Sequence, residues 1–344
     1  MNRVLPVFGL VAAMACAKPA PPSPTPPPPD VMALSDSLLD VDALWNFQDP
    51  AASRSAFYAL HKQQAAALEA GTLAPEDVLR LRAAMLEAET QVARTHSLEG
   101  DAATAMLRLD EVSARRDEVV LPPDLRAKVQ VREMLERGRA LRTKKEVGAA
   151  RALFVQAWEL ARQHPPALDG LAVDAAHMVG ICDMGSDGEL EWGHKALELA
   201  ESSESAAARK WRASLLNNLG WAAFDRGQHA QALELMERQI VLRQEAGKEP
   251  ALRIALWSRG RVLRALGRVD EALAVQEKLL ADYGEDARAD GFVHEELAEC
   301  LYAVGRRDEA RPWFRSAHEL LKESWLADAE PDRLRRLAQL GGVE

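Results

Sequence analysis

One spacing of small residues recurs along this sequence and constrains its fold more than any other feature. Gly220 is followed seven residues later by Gly227 and five residues after that by Ala232. The same spacing occurs at Gly260, Gly267 and Ala272, at Ala298, Gly305 and Ala310, and at Ala93, Gly100 and Ala105. A further copy, Gly138, Lys145 and Ala150, has lysine at the middle position. The sequence therefore contains a structural repeat.

This spacing predicts a hairpin of two antiparallel helices. A small residue in the middle of one helix and another at the start of the next let the two helices approach closely. The glycine between them can adopt the left-handed conformation that ends the first helix. A single hairpin cannot bury its apolar face alone, so successive hairpins must stack on one another.

A sixth hairpin is predicted between residues 169 and 203, although its turn, Asp183 to Gly188, departs from the pattern. The second helices of five hairpins align at Ala157, Ala196, Gln239, Leu279 and Ala317, with separations of 39, 43, 40 and 38 residues. The sequence thus predicts an all-α solenoid of stacked helical hairpins with a period of about 40 residues.

From about residue 40 onward, the sequence resembles the tetratricopeptide repeat family. Leu219-Gly220 with Ala223 carries the resemblance, as do Ala150 and Ala310, which are followed four residues later by Phe154 and Phe314. The resemblance implies a right-handed superhelix whose first helices line a concave groove for peptides or partner helices. The period exceeds the family's usual length of about 34 residues, and the tryptophan that normally precedes the leucine-glycine pair is missing. HEAT-like repeats share the long period but lack this glycine and alanine spacing.

Both ends of the repeats are predicted to carry capping helices. An N-terminal half-repeat is predicted after Ala43, with a helix from Pro50 to Gly71, and the solenoid is predicted to span residues 43–326. Residues 327–344 are predicted to form a C-terminal capping helix and tail, with the helix beginning at Pro331. In that helix Leu334, Leu337 and Leu340 share one face, and Arg333, Arg335 and Arg336 lie away from it.

The N-terminus predicts export. Residues 1–15 carry one positive charge and an apolar stretch that is too short to span a bilayer, so they are predicted to be a signal peptide. The sequence Ala13-Met14-Ala15-Cys16 resembles the lipobox of bacterial lipoproteins, which implies lipidation of Cys16. With Ala17 next, the resemblance favours anchoring in the outer membrane. An ordinary signal cleaved after Ala15 or Ala17, leaving a soluble periplasmic protein, is the alternative.

Residues 16–42 are predicted to be a lipidated tether. Pro19 to Pro29 reads PAPPSPTPPPP, and such a segment favours polyproline II. At about 3.1 Å per residue, these residues could hold a domain roughly 30 to 35 Å from a membrane.

Composition and motifs argue against several classes of function. The chain has 53 acidic and 43 basic residues and a net charge of −10, which is unlike a general nucleic-acid binder. The loop at Asp183 to Gly188 fails as a calcium site because His194 stands where the bidentate glutamate should be, and His294-Glu295 lacks the second histidine of a zinc helix. No metal, cofactor or catalytic residue is predicted. Cys182 and Cys300 are predicted to be small buried residues without a disulfide.

The groove is the remaining candidate site, and its residues follow from the family resemblance. Mapping the groove positions selects Arg139, Arg142, Asn217, Asn218, Trp221, Phe224, Trp257, Arg261, Arg264, Glu295, Glu299 and Tyr302. Arginines with aromatic residues between them would suit an acidic peptide, because arginine both stacks and pairs with carboxylates. The alternative is that the aromatic residues pack between repeats and the charges are solvated.

The leading prediction is a non-catalytic scaffold anchored in the bacterial envelope, which binds another envelope protein or peptide in its groove and supports assembly of an envelope complex. A ligand-sensing or regulatory module of the same repeat family is the first alternative. An enzyme with a site assembled across repeats is the second.

Overall fold

The chain is all-helical wherever its structure is described. The computed structural model describes residues 33–247, 249–288 and 290–343, and no strand occurs within these ranges. Helix α1 (Pro50–Glu69) begins at the predicted proline, and the Asp49 carboxylate accepts a hydrogen bond from the Ala52 amide at 2.9 Å. The signal peptide, Cys16 and the proline-rich segment lie outside the described residues.

Six hairpins follow α1, as the sequence predicts. Their helices are α2 (Pro75–Leu98) and α3 (Ala102–Glu118), α4 (Pro123–Thr143) and α5 (Val147–Ala161), and α6 (Asp169–Cys182) and α7 (Asp187–Ser202). After the short helix α8 (Ala206–Arg209) come α9 (Arg212–Asp225) and α10 (His229–Glu245), α11 (Glu249–Ala265) and α12 (Val269–Arg288), and α13 (Gly291–Ala303) and α14 (Arg307–Leu321). The chain ends with α15 (Leu326–Ala329) and α16 (Pro331–Gly341).

The turn positions of the repeat adopt the left-handed conformation. Gly100, Gly227, Gly267 and Gly305 have φ angles of 86°, 73°, 76° and 84°. Lys145, which replaces glycine in its hairpin, is also left-handed, with φ of 65°. In the irregular turn between α6 and α7, Gly185 is left-handed as well, with φ of 80°. The predicted turns are therefore confirmed, including the one that lacks glycine.

The small residues in the first helices make room for a specific side chain of the second helix. A Cβ atom on Gly220 would lie 2.7 Å from Cε of Met236, which stands four residues after Ala232. A Cβ atom on Gly138 would lie 2.6 Å from Cζ of Phe154, four residues after Ala150. The close approach of the paired helices thus depends on glycine at these positions.

The hairpins stack so that their first helices face inward. First helices of successive hairpins contact each other directly at α2–α4, α4–α6 and α11–α13. The aligned second-helix positions Ala157, Ala196, Gln239, Leu279 and Ala317 are all buried between layers. The surface formed by the first helices, here called the inner face, is therefore the one available for a groove.

The C-terminal helix covers the last hairpin. Helix α16 packs against α14, and Leu337 is fully buried between them. The sequence places Arg333 and Arg336 away from the packed face, but the structure pairs them with Glu295 and Glu299 of α13. These two arginines therefore attach the cap to the solenoid instead of simply solvating it.

The solenoid also holds the chain segment before α1. Residues 38–47, here called the N-terminal strap, cross the inner face of the first hairpins. Val41 is buried against α1 and α2, and Asp42 pairs with Arg132 of α4. Packing thus begins before residue 43, inside the segment that the sequence assigns to a tether.

Two further sequence expectations concern cysteines and membrane spans. Cys182 is half-buried and Cys300 is buried, and both are free thiols. Burial raises the pKa of the Cys300 thiol to about 12, with a further contribution from Glu296. No helix in the described ranges is long and apolar enough to cross a bilayer.

Candidate functional site

A cleft of about 510 Å³ opens on the inner face of the last three hairpins. Its walls come from the first helices α9, α11 and α13 and from the C-terminal cap, whereas the second helices do not contribute. The lining residues include Trp221, Trp257, Arg261, Phe292 and Trp325. The sequence-based mapping identified the first three of these.

A row of five aromatic rings, here called the aromatic ladder, runs along the inner face: Phe224, Trp221, Trp257, Phe292 and Trp325. All of them except Phe224 line the cleft. Successive ring centroids in that order lie 5.4, 5.7, 6.1 and 6.2 Å apart. Most neighbouring rings are tilted or edge-on, the arrangements that aromatic pairs prefer. The ladder therefore forms one continuous aromatic surface across three hairpins and the cap.

The ladder is fixed by hydrogen bonding as well as by packing. The indole Nε1–H of Trp257 donates to the backbone carbonyl of Phe292 at 2.9 Å. The Arg333 guanidinium lies 5.7 Å from the Phe292 ring centroid and makes two hydrogen bonds to Glu295, at 2.6 and 2.7 Å. The rings are thus held in place before any ligand arrives.

Arg261 is the cation at the centre of this surface. Its guanidinium carbon lies 5.7 to 5.9 Å from the ring centroids of Trp221, Phe224 and Trp257. Burial, together with the nearby Arg333, lowers the pKa of Arg261. Its Nε is buried, and no residue in the described ranges accepts a hydrogen bond from it. Arg261 can therefore direct its donors at an incoming carboxylate or carbonyl oxygen.

The other predicted groove charges are largely paired within the protein. Arg264 makes two hydrogen bonds to Glu296, at 2.5 and 3.0 Å. Arg139 binds Asp174 and Glu136, and Glu299 pairs with Arg336 of the cap. Glu295, also predicted, is 6% exposed and pairs with Arg333. These side chains link neighbouring elements of the solenoid, so of the four predicted groove arginines only Arg142 and Arg261 have no carboxylate partner within the described ranges.

The remaining predicted residues lie outside the ladder. Asn217 and Asn218 hydrogen-bond to each other at 3.2 Å, and Asn218 is exposed beside a smaller cavity of about 290 Å³. Tyr302 packs edge-on against Phe314 at 6.0 Å, and Arg142 is exposed. The structure therefore does not join these four residues to the cleft.

The sequence mapping missed most of the residues that line the cleft, among them Phe292, Trp325 and the half-exposed Ile254. The mapping used the same positions in each first helix, three residues before the small residue and one and four residues after it. Trp221 stands one residue after Gly220, whereas Trp257 stands three residues before Gly260 and Phe292 six residues before Ala298. The aromatic residues of the ladder therefore occupy a different position in each successive first helix. A search for aromatic residues at drifting positions in successive first helices would have found Phe292.

The described residues offer little for catalysis or metal binding. No group of three or more potential ligands is assembled in the described ranges. The closest arrangement to a base and nucleophile is His294 Nδ1 with Ser316 Oγ, 2.8 Å apart. His294 is 4% exposed, and its Nε2 has no partner among the described residues, so no third group orients it.

These features define an all-α repeat protein with a preformed aromatic and cationic surface on its inner face. A model of the tetratricopeptide repeat matches residues 211–285 and 251–323, which are the hairpins that build the cleft. This part of the chain therefore consists of tetratricopeptide repeats. No curated protein sequence gives a significant match.

Solved structures support the same fold over most of the chain. The apo form of RapI is similar over 87% of this chain and 85% of its own, with a TM-score of 0.61 and 11% identity. The apo form of the quorum sensor NprR from B. thuringiensis is similar over 89% and 80%, with a TM-score of 0.57 and 16% identity. BtubC from P. vanneervenii covers 71% and 92%, with a TM-score of 0.51 and 18% identity.

Proposed function

We propose that this protein is a non-catalytic adaptor that binds a segment of a partner protein along the aromatic ladder. The observation that carries the proposal is Arg261, a half-buried cation surrounded by three aromatic rings, whose buried Nε has no hydrogen-bond acceptor among the described residues. Aromatic residues and arginine are the side chains that most often dominate the energy of protein interfaces. A partner segment with an apolar or aromatic anchor and a nearby carboxylate fits this surface.

The preformed ladder favours binding without a large rearrangement. Trp257 and Arg333 are already held by hydrogen bonds within the protein, so little side-chain entropy is lost when a ligand binds. Among fold relatives, NprR has been solved with its cognate peptide NprX. That complex is a precedent for peptide binding in a related solenoid, and it assigns no residue roles in this chain.

Photocrosslinking in cells tests the proposed surface, whichever protein the partner is. Ile254 lies in the cleft and is 51% exposed, whereas Val241 on α10 is 52% exposed outside it. With a benzophenone amino acid at position 254, we expect a discrete crosslinked adduct. With the same group at position 241, we expect none.

The specificity of that adduct can be checked with two arginine variants. Arg261→Met keeps the apolar stem but removes the charge and donors, and we expect it to reduce the adduct at least tenfold, equivalent to about 1.4 kcal/mol or more. Arg268→Met is the control, because Arg268 is exposed and its partner among the described residues is Glu271 in the first helical turn of α12. An adduct that forms equally at both positions, or survives Arg261→Met unchanged, would contradict the proposal.

A small ligand is the second candidate for the cleft. Its volume of about 510 Å³ falls within the range of about 300 to 1,000 Å³ typical of small-molecule pockets. A compound that raises the melting temperature of the wild type but not of Arg261→Met, with no protein adduct at position 254, would favour this ligand-sensing function.

We also propose that the protein is exported and anchored in the bacterial envelope through Cys16, where it supports assembly of an envelope complex. The lipobox-like sequence before Cys16 and the proline-rich segment after it support this proposal. The soluble periplasmic form remains the alternative.

Mass spectrometry of the mature N-terminus tests the anchor. We expect a diacylated N-terminal Cys16 and recovery of the protein in the membrane fraction. Cys16→Ser should release it, whereas Cys182→Ser, a change in a half-buried helical thiol, should not. An unmodified N-terminal peptide beginning at residue 16 or 18 would refute lipidation.

A further inference from the structure

The N-terminal strap is bound to the solenoid by polar contacts as well as by the apolar packing of Val41. The Asp42 carboxylate pairs with the Arg132 guanidinium of α4. The Trp45 Nε1–H donates to Gln91 Oε1 of α2 at 3.0 Å. At the other end of the strap, the Gln64 side-chain amide of α1 donates to the Leu38 carbonyl at 2.8 Å. Helices α1, α2 and α4 thus bind the ten residues of the strap through its carboxylate, indole and carbonyl groups. A separate peptide could present the same groups.

Aromatic stacking completes the binding of the strap. Trp45 and Phe47 stack with their ring centroids 4.8 Å apart, and the Arg94 guanidinium carbon lies 5.1 and 5.3 Å from these two centroids. Trp45 also meets the buried ring of Phe57 edge-on at 5.1 Å. The combination of an arginine with tryptophan and phenylalanine rings is the same chemistry as that of Arg261 in the ladder.

The strap adds a small hydrophobic cluster, separate from the main core, in which Val41 packs with residues of α1 and α2 and the partly buried Leu38, Leu44 and Trp45 pack against it. Val41 is its only buried residue, and Phe47 remains 60% exposed. A segment with so little buried apolar area contributes modestly to stability, because the hydrophobic gain scales with apolar area removed from water. The strap is therefore held in the manner of a bound peptide.

The surface beneath the strap has a net positive charge when the strap's own residues are not counted. A cleft of about 660 Å³ lies between the strap, helices α2, α4 and α6, and the segment of residues 207–214 that leads into α9. Its walls, apart from the strap, carry four cations and two carboxylates: Arg94, Lys128, Arg132, Lys210, Glu87 and Asp174. The strap adds Asp40 and Asp42, which balance the formal charge.

Partial loss of hydration opposes ionisation of Asp42, which remains exposed, but attraction and a hydrogen bond from Arg132 hold the pKa of that carboxyl below its usual value. The strap thus supplies a stably ionised acid to a cationic surface. The cleft also extends beyond the strap, and Arg94 Nε is buried there without a hydrogen-bond partner among the described residues. A bound segment could therefore make contacts in this cleft that the strap does not make.

We propose that the strap is a displaceable ligand supplied by the chain itself, and that the surface beneath it is a second binding site on the inner face. This site recognises an acidic residue followed three positions later by tryptophan and five positions later by phenylalanine, as in Asp42, Trp45 and Phe47. A partner segment with this chemistry binds only after it displaces the strap. The site lies on α2 and α4, whereas the ladder lies on α9, α11 and α13. The two proposed binding sites can therefore be tested separately.

Competition between the strap and a free peptide tests the proposal. The probe is a fluorescent synthetic peptide of residues 36–48, and binding to the full-length chain is followed by anisotropy. The attached strap acts at an effective concentration in the millimolar range, so the wild type should bind the probe weakly. A variant with Asp42→Asn, Trp45→Ala and Phe47→Ala should bind it at least tenfold more tightly.

Matched changes distinguish site binding from general charge attraction. Arg132→Gln added to the released variant should abolish binding, and a probe carrying Asp42→Asn and Trp45→Ala should not bind. If the triple variant does not fold, the single variant Asp42→Asn replaces it and should bind the probe at least threefold more tightly than Asp36→Asn, a control at an exposed strap-adjacent acid. Equal affinity of the wild type and the released variant, or of the two single variants, would overturn the proposal. So would the absence of binding to a folded released variant.

Discussion

We expect Arg139→Met to destabilise the central hairpins by about 3 to 5 kcal/mol, the range measured when one partner of a buried ion pair is removed. Arg139 of α4 binds both oxygens of Asp174 of α6, at 2.6 and 2.7 Å, and also Glu136 at 2.7 Å. Asp174 and Glu136 are 7% and 1% exposed, so neither carboxylate can recover its hydration when the arginine is lost. Arg94, 3.8 Å from Glu136, offsets only part of that loss.

Native-state hydrogen exchange on α4 and α6 is the appropriate measurement, because stability in a repeat array is distributed over neighbouring units. The control is Lys278→Met, which removes an exposed pair with Asp282 on α12 and should change stability by no more than about 0.5 kcal/mol. The double variant Arg139→Met with Asp174→Leu should recover part of the loss. Equal losses of stability in Arg139→Met and in Lys278→Met would contradict a structural role for Arg139.

The same pair should make stability depend on pH in a defined direction. Burial opposes ionisation of Asp174, but Arg139 and Arg94 hold the pKa of its carboxyl below the usual value. Because the native pKa is lowered, the contribution of the pair is complete above about pH 4 and declines as the pH falls through the native pKa. The stability difference between wild type and Arg139→Met should therefore shrink below about pH 4.

Gly138→Ala is expected to lower stability by up to about 2 kcal/mol even though alanine is the better helix former. The gain in helix propensity is about 1 kcal/mol, but the new methyl group would lie 2.6 Å from Cζ of Phe154, and overpacking of this kind costs about 1 to 3 kcal/mol. A rigid ring flanked by buried residues has little room to move.

Gly148→Ala is the matched control on α5, because a Cβ there meets no atom within 4 Å. It should leave stability unchanged or raise it by up to about 1 kcal/mol. Urea denaturation of both variants measures the difference. Combining Gly138→Ala with Phe154→Leu should cost less than the sum of the two single changes, and strict additivity would show that the methyl group does not meet the ring.

The hairpin architecture could be predicted from the sequence because each hairpin is specified locally. A left-handed turn residue and two small residues at fixed intervals determine the hairpin, and the register predicted this conformation even at Lys145. The burial of Ala157 and Leu279 follows from the same periodicity. Local spacing therefore accounts for nearly all of the fold over the described residues.

The site was less predictable because it depends on contacts between hairpins. Arg264 and Glu296 stand 32 positions apart, and nothing in either helix indicates that they pair. Such pairing removed Arg139, Arg264, Glu295 and Glu299 from the set of groove charges available to a ligand. Arg261 differs only because its surroundings are aromatic, which also depends on the stacking of neighbouring hairpins.

The strap illustrates the same limit in another way. The sequence assigns the part of the strap before residue 43 to a tether, because it follows a proline-rich segment, and the part from Ala43 onward to the N-terminal half-repeat. Its attachment to Arg132, 90 positions away, arises from the curvature that brings α4 beneath it. Contacts of such range lie outside any local pattern.

The oblique course of the aromatic ladder has a geometric consequence for whatever lies along it. Two residues of an extended chain advance by about 6.6 Å, which is close to the centroid separations of 5.4 to 6.2 Å between successive rings. A bound strand would therefore present alternate side chains to consecutive rungs, while its intervening side chains faced water. Because the two-residue advance of the strand is slightly longer than the ring separation, the strand must bend to keep alternate side chains opposite successive rings. Insertion of a single residue between two ring-contacting side chains would move every later one away from its ring.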